Sequence, residues 1–149
     1  MGYAYRKPTK EELEQMKTLL RECMENGALG MSSGLIYTPS AYAETEELIE
    51  LAKVVAEYDG LYATHMRNES YDVVNSVKEA IEIGRQSGVR VSISHHKVCG
   101  KPNWGLSQET LKLVEDAIAE GIRITLDQYP YTASMTHLNA CIPPWYFTE

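Results

Sequence analysis

Apolar residues recur at helical spacing in four stretches of the chain, and a short, mostly apolar run follows each stretch. The helical stretches occupy residues 9–27, 48–58, 70–88 and 107–121. Thr9 and Glu12 have the spacing of a capping box, and we expect Ser70 and Ser107 to cap the third and fourth helices. Glycines close most of the stretches, which is typical of helix C-termini.

The apolar runs between the helical stretches predict four strands. They occupy residues 28–35, 61–66, 89–94 and 122–126. A helix between successive strands leaves enough chain for a right-handed crossover, so we expect the strands to be parallel. The predicted class is α/β, built from four parallel βα units.

Two architectures fit four such units. A doubly wound sheet is complete with four or five strands, whereas an eight-stranded (β/α) barrel typically needs about 250 residues. The chain has 149 residues, and this length alone favours the doubly wound sheet. In both architectures the loops after the C-terminal ends of the strands open onto one crevice, where functional residues gather.

Composition excludes several classes of function. The 14 lysines and arginines against 21 aspartates and glutamates give a net charge of −7, which disfavours nucleic acid as a partner because phosphates attract a positive surface. No apolar run reaches the roughly 18–20 residues that span a membrane, and the first residues lack the apolar core of a signal peptide. We therefore expect a soluble, cytoplasmic protein with no membrane partner.

Polar side chains follow all four predicted strands at their C-terminal ends. In chain order the strands lead into Tyr37, into His65, into His95-His96-Lys97, and into Tyr129. Three of the four histidines of the chain therefore lie on one predicted face. The opposite strand ends carry helix caps and glycines, so this asymmetry is the main indication of a functional site.

Histidines at the ends of two neighbouring parallel strands lie side by side, because such strands are about 4.8 Å apart. Two imidazoles at that separation can bind one metal ion, so His65 and His95 are candidate ligands. Two unrelated histidines, each hydrogen-bonded at the start of a loop, fit the pattern equally well. The pattern leaves open whether His95 or His96 faces the site, since a buried parallel strand can be apolar on both faces.

Lys97 follows the histidine pair and can hold a substrate carboxylate through charge-assisted hydrogen bonds. Tyr37 and Tyr129 add phenolic donors from other strand ends. Taken singly, such residues are more often a solvated lysine or an interfacial tyrosine. Their convergence on one predicted edge favours a substrate-binding role.

Four segments together resemble the N-acyl-D-amino-acid deacylases of the amidohydrolase superfamily. They are Gly34-Leu35-Ile36-Tyr37-Thr38-Pro39, Ala63-Thr64-His65-Met66-Arg67, Ile93-Ser94-His95-His96-Lys97 and Asp127-Gln128-Tyr129-Pro130-Tyr131. The resemblance covers nearly the whole chain in order, and the interval between His65 and His95 agrees with that of the family. It implies a partial (β/α)8 barrel of the metal-dependent hydrolase type, with this chain as about strands four to seven.

The same resemblance implies zinc as the cofactor, with His65 and His95 as its ligands and His96 in a supporting or structural role. Lys97, Tyr37 and Tyr129 would then hold the carboxylate of an N-acyl-D-amino acid. Zinc in such enzymes polarises the acyl carbonyl and lowers the pKa of its bound water, so that hydroxide attacks the amide at neutral pH.

The resemblance also implies groups that these 149 residues do not contain. An acid/base aspartate belongs to strand eight and a His-x-His pair to strand one, while Asp127 falls on strand seven, where the resemblance implies a structural role or a role in supporting the site residues. We therefore expect residues 1–149 to be a central fragment of a catalytic barrel without an internal domain boundary. We expect this fragment to be inactive alone, to bind zinc weakly and to self-associate through its unpaired edges.

Two alternatives remain. A dihydroorotase-like or hydantoinase-like enzyme would act on cyclic amides, although Lys97 and the tyrosines favour a free α-carboxylate. A self-contained flavodoxin-like module would bind a ligand without catalysis.

Overall fold

The strands of the chain pair in sequence order within one parallel sheet. In the computed structural model, which describes residues 2–147, the strands are β1 (Gly30–Gly34), β2 (Leu61–His65), β3 (Arg90–Ile93) and β4 (Ile124–Leu126). The helices are α1 (Lys10–Glu25), α2 (Thr45–Glu57), α3 (Val73–Ser87) and α4 (Leu106–Ala119). The predicted alternation of helices and parallel strands is therefore confirmed.

The sheet order β1-β2-β3-β4 decides between the two architectures. Doubly wound sheets reverse their strand order at a switch point, where helices move to the other face. Here each strand lies beside the next one in the chain, and consecutive helices pack on one another. This singly wound arrangement is that of a barrel segment, so the preference for a doubly wound sheet, and with it the flavodoxin-like alternative, is wrong.

The hydrophobic core lies between the sheet and its helices. Its fully buried side chains come from α2, α3 and the two central strands, β2 and β3. They include Val55, Val77, Tyr62, Val91 and Ile93. On the opposite face, the strand register aligns one row of small side chains across the sheet: Ser32, Ala63, Ser92 and Thr125. Ser32 and Thr125, at the two ends of this row, are exposed.

The first predicted helix cap is confirmed. Thr9 Oγ1 accepts a hydrogen bond from the Glu12 N–H at 3.2 Å, and Glu12 Oε2 accepts one from the Thr9 N–H at 2.8 Å. These two bonds satisfy amides that the start of α1 leaves without helical partners.

The predicted caps at Ser70 and Ser107 are wrong. Before α3, the side chain of Asn68 accepts from the N–H groups of Ser70 (2.8 Å) and Asp72 (3.1 Å), so this asparagine orders the turn instead. α4 begins one residue before Ser107, after Gly105, whose φ of 104° suits glycine.

The segment after β4 crosses back over the C-terminal ends of the strands. It contains two short 3₁₀ helices, Leu138–Cys141 and Pro144–Phe147, and the Tyr42 hydroxyl donates to the Pro144 carbonyl at 3.0 Å. Within residues 2–147, none of the helices has the length and apolar character needed to cross a membrane.

Candidate metal centre and active site

His65 and His95 are placed by the ends of neighbouring strands. His65 is the last residue of β2, where it lies opposite Gly34 of β1. His95 lies two residues beyond β3 with a φ of 41°, and its N–H donates to Asp127 Oδ1 at 2.5 Å. The turn after β3 is therefore held by a side chain that follows β4.

The two imidazoles face each other. His65 Nδ1 lies 3.0 Å from His95 Nε2, and the ring centroids are 4.5 Å apart. Two nitrogen ligands at 2.0–2.1 Å from one tetrahedral zinc lie about 3.3 Å from each other. The observed separation fits a shared metal ion, and it also allows a direct hydrogen bond between the rings.

Electrostatics favour a neutral, ligating His65. Burial lowers the pKa of His65, and His95 and Lys97 lower it further, while the Glu69 carboxylate opposes them. Neutral imidazole is the form that binds a metal. Within residues 2–147, His65 Nε2, on the other side of the ring from the nitrogen that faces His95, is buried with no hydrogen-bond partner. The neutral form of His65 and the position of its Nδ1 fit a metal-binding role.

Glu69 joins the histidine pair, and sequence reasoning missed it. Its Oε1 lies 2.9 Å from His95 Nδ1 and 2.6 Å from Lys97 Nζ, and its side chain is 12% exposed. These are ion-pair distances, yet neither contact has the angles of a hydrogen bond. One ligand atom from each of His65, Glu69 and His95 lies within 4.8 Å of the others.

The pattern of the sequence offered little indication of Glu69. It lies in the loop after β2, four residues beyond His65, where no helical or strand periodicity orients its side chain. The loop itself turns back, because the Cys99 N–H donates to the Glu69 carbonyl at 2.7 Å. This contact between two loops after different strands is a long-range feature that local patterns do not encode.

His96 points away from the pair. Its side chain is buried, and Nε2 lies 3.0 Å from Thr110 Oγ1 of α4. Burial lowers the pKa of this imidazole. The sequence left open which of the two histidines faces the site. In the structure His95 faces it, and His96 packs against the helix layer.

Tyr37, Lys97 and Tyr129 line the same cavity as the two histidines, with a volume of about 490 Å³. The Tyr37 ring lies 5.0 Å from the His65 ring, and its hydroxyl is 2.7 Å from Thr136 Oγ1. Lys97 Nζ lies 5.5 Å from the centre of the Tyr129 ring. The structure therefore brings all five predicted site residues together, with Glu69 as a sixth.

Comparison with known proteins gives relatives of named activity. The chain is 47% identical over 133 residues to the D-aminoacylase of Alcaligenes xylosoxydans xylosoxydans, and the match covers 89% of this chain and 27% of that enzyme. An N-acyl-D-glutamate deacylase from Bordetella bronchiseptica, crystallised with zinc and a phosphonate mimic of the tetrahedral intermediate, gives a TM-score of 0.82. Its identity is 42%, over 83% of this chain and 26% of that one. The chain is a homologue of the N-acyl-D-amino-acid deacylases.

These deacylases also share the fold. A D-aminoacylase structure that defines a novel subset of amidohydrolases gives a TM-score of 0.83 at 45% identity, over 87% of this chain and 27% of that one. The four parallel strands thus match part of the barrel of these enzymes, as predicted, and the chain spans about a quarter of their length. No protein-family model matches the chain. A D-hydantoinase structure, at 14% identity and a TM-score of 0.58, shows similarity of fold alone.

Proposed function

We propose that this chain forms part of a zinc-dependent deacylase, which hydrolyses the amide of N-acyl-D-amino acids to a carboxylate and a free D-amino acid. His65 and His95 are the zinc ligands in this proposal. The observation that carries it is the 3.0 Å approach of His65 Nδ1 to His95 Nε2. The 47% identity to a D-aminoacylase supports the choice of reaction.

Bound zinc would polarise the acyl carbonyl and lower the pKa of a water molecule. The residues of this chain have simpler tasks. His65 presents its ring nitrogen from the end of β2, and His95 from the turn after β3, which the bond to Asp127 holds. The cavity beside them is lined by Lys97, Tyr37 and Tyr129, so the substrate would lie within reach of both sets of residues.

Lys97 is the residue proposed to select a free carboxylate. The Lys97 side chain is 17% exposed, and Glu69 Oε1 lies 2.6 Å from its ammonium group. A lysine ammonium has three donors, so its contact with Glu69 leaves others for the carboxylate of a substrate. Tyr37 and Tyr129 add phenolic donors, and cyclic amides without a carboxylate would use neither the charge nor these donors fully.

A chimeric enzyme tests the proposal. In it, this chain replaces the matching 27% of the Alcaligenes D-aminoacylase, which supplies the remaining residues. We expect zinc-dependent hydrolysis of N-acetyl-D-amino acids and loss of activity by a factor of at least about 100 on His65→Ala. Lys112→Ala is the control, because Lys112 is exposed and pairs with Asp116 on α4, away from the histidine pair. Full activity of the His65→Ala chimera would contradict the assignment.

We also propose that the 149-residue chain self-associates and resides in the cytoplasm. Among residues 2–147, β1 and β4 each pair on one side only, and the row from Ser32 to Thr125 is covered only in part. Open sheet edges favour pairing with another chain. Sedimentation of the purified chain at several concentrations measures this association, and a monomer throughout would contradict it.

A further inference from the structure

We propose that Glu69 is a positioning residue, which holds the proton of His95 on Nδ1 and thereby keeps Nε2 free to bind a metal. This inference rests on the proposed function, because it assumes that His95 is a ligand. It concerns a residue that the sequence patterns did not indicate.

The two nitrogens of His95 have different surroundings. Nε2 faces His65 Nδ1 at 3.0 Å, which is the side proposed for the metal. Nδ1 lies 2.9 Å from Lys97 Nζ, in a contact of hydrogen-bond geometry, and 2.9 Å from Glu69 Oε1, in a contact without that geometry. A neutral imidazole carries one proton, so the partner at Nδ1 decides which nitrogen keeps a lone pair.

Lys97 and Glu69 have opposite effects on this choice. A lysine ammonium has three donors and no acceptor, so a hydrogen bond from Lys97 requires an unprotonated Nδ1. The proton of His95 then sits on Nε2, where it blocks metal binding. A carboxylate only accepts, so Glu69 as the partner retains the proton on Nδ1 and leaves the lone pair of Nε2 facing His65.

Glu69 is also the natural acceptor for the Lys97 ammonium. Its Oε1 lies 2.6 Å from Lys97 Nζ, closer than the 2.9 Å between that ammonium and His95 Nδ1. Within residues 2–147, Oε1 is buried and makes no bond of hydrogen-bond geometry, so it has capacity for both donors. We infer that Oε1 accepts from both Lys97 Nζ and His95 Nδ1, which lie 2.6 Å and 2.9 Å from it.

The position of Glu69 favours this role over direct ligation. Its Oε1 contacts Nδ1, whereas the nitrogen that faces His65 is Nε2 on the other edge of the ring. If Glu69 moved to the metal, Nδ1 would lose its acceptor and keep only Lys97. Carboxylates that orient metal-binding histidines in this way are widespread, and their loss typically weakens metal affinity about 10–100-fold.

Zinc affinity of the purified chain tests the inference. The chain, Glu69→Leu and Glu69→Gln compete for zinc with a coloured chelator, and the dissociation constant is read from the absorbance. We expect Glu69→Leu to bind about 10–100-fold more weakly. The zinc affinity of Glu69→Gln should lie between those of the unchanged chain and Glu69→Leu, because the amide oxygen still accepts from Nδ1 but lacks the charge.

Glu79→Gln is the matched control. The Glu79 side chain is also 12% exposed and is also ion-paired, but its partners are Arg67 and Thr45. It should therefore keep the zinc affinity of the unchanged chain, even if its melting temperature falls. A fall in zinc affinity as large as that of Glu69→Leu would show a general loss of structure and overturn the inference.

A second measurement reads the proton directly. In ¹⁵N spectra of the zinc-bound chain with labelled histidines, we expect His95 to carry its proton on Nδ1. In Glu69→Leu, we expect the proton to be divided between Nδ1 and Nε2. Zinc binding by the chain with the same affinity and proton position in Glu69→Leu would overturn the inference and leave the proposed function intact. Failure of the chimeric enzyme to bind zinc at the histidine pair would contradict both.

Discussion

The main-chain N–H of His95 donates to the carboxylate of Asp127 at 2.5 Å. This bond joins the ends of β3 and β4, and the Asp127 carbonyl in turn accepts from the His96 N–H at 2.8 Å. His95 has a φ of 41°, a conformation that costs a non-glycine residue about 1–2 kcal/mol. Asp127 therefore stabilises the turn that points the His95 ring towards His65, in keeping with the structural role expected for it.

Replacement of Asp127 should loosen this turn. We expect Asp127→Ala to lower the free energy of unfolding by about 1 kcal/mol, since it removes one acceptor for an exposed main-chain donor. Zinc affinity should fall with it, because the His95 ring loses its fixed direction. Asp127→Asn keeps an acceptor oxygen and should retain most of both quantities. Urea unfolding and zinc titration check these expectations. If Asp127→Ala kept both the unfolding free energy and the zinc affinity of the unchanged chain, Asp127 would not stabilise this turn.

Removal of the Lys97 charge should weaken substrate binding. In the chimeric enzyme, we expect Lys97→Met to raise KM for N-acetyl-D-amino acids about tenfold or more, because a lost charge-assisted hydrogen bond costs roughly 1.5–3 kcal/mol. Lys112→Met is the control, since Lys112 pairs with Asp116 on the exposed face of α4. Steady-state kinetics with both variants test this prediction. An unchanged kcat/KM for Lys97→Met would show that Lys97 does not bind the substrate carboxylate.

Gly30 sets the approach of the first two strands. A Cβ atom there would lie 1.9 Å from the Leu61 carbonyl oxygen, a main-chain atom that cannot move aside alone. We expect Gly30→Ala to force β1 away from β2 and to lower the free energy of unfolding by about 2 kcal/mol or more. Ser32→Ala, on the exposed face of the same strand, should change it by less than about 0.5 kcal/mol. Equal stabilities for the two variants would contradict this account.

The stabilisation that the contact between α1 and α2 provides should decrease at low pH. Glu50 accepts from Lys17 and Lys53, each at 2.6 Å, and these bonds, with Lys17 first, lower the pKa of Glu50 to about 2 from 4.5. A lowered carboxyl pKa means that the stabilisation is complete above pH 4.5 and is lost as the pH falls towards 2.

The Glu50→Gln variant measures this contribution. Its unfolding free energy should be lower than that of the unchanged chain by about 0.5 kcal/mol at pH 7, since the pair is partly exposed. The difference should shrink as urea unfolding is repeated at pH 4 and then pH 3. A difference that stays constant over this range would exclude the ion pairs as its source.

Much of this fold could be predicted from local patterns. Helical spacing located all four helices, and apolar runs located all four strands, because each unit buries one helix face and a strand. The strand ends were less accurate: β1 covers Gly30–Gly34 and β4 only Ile124–Leu126, both shorter than the apolar runs that predicted them. Strand order depends on contacts between distant residues, so periodicity alone could not separate the two architectures.

The site shows the same division. Its predicted residues lie at the ends of strands or within four residues after them, where topology alone brings them to one edge. The choice between His95 and His96 depends on a turn with positive φ, which the sequence pattern did not indicate. Glu69 reaches the site only because two loops meet, through the bond between the Cys99 N–H and the Glu69 carbonyl.

His65 and His95 share one zinc ion in the proposed enzyme, and anomalous diffraction from zinc-loaded crystals of the chain tests this most directly. We predict one anomalous peak about 2.0–2.1 Å from His65 Nδ1 and from His95 Nε2. Crystals of His65→Ala, treated in the same way, should lack it. A strong zinc peak elsewhere, with none between the two imidazoles, would contradict the account.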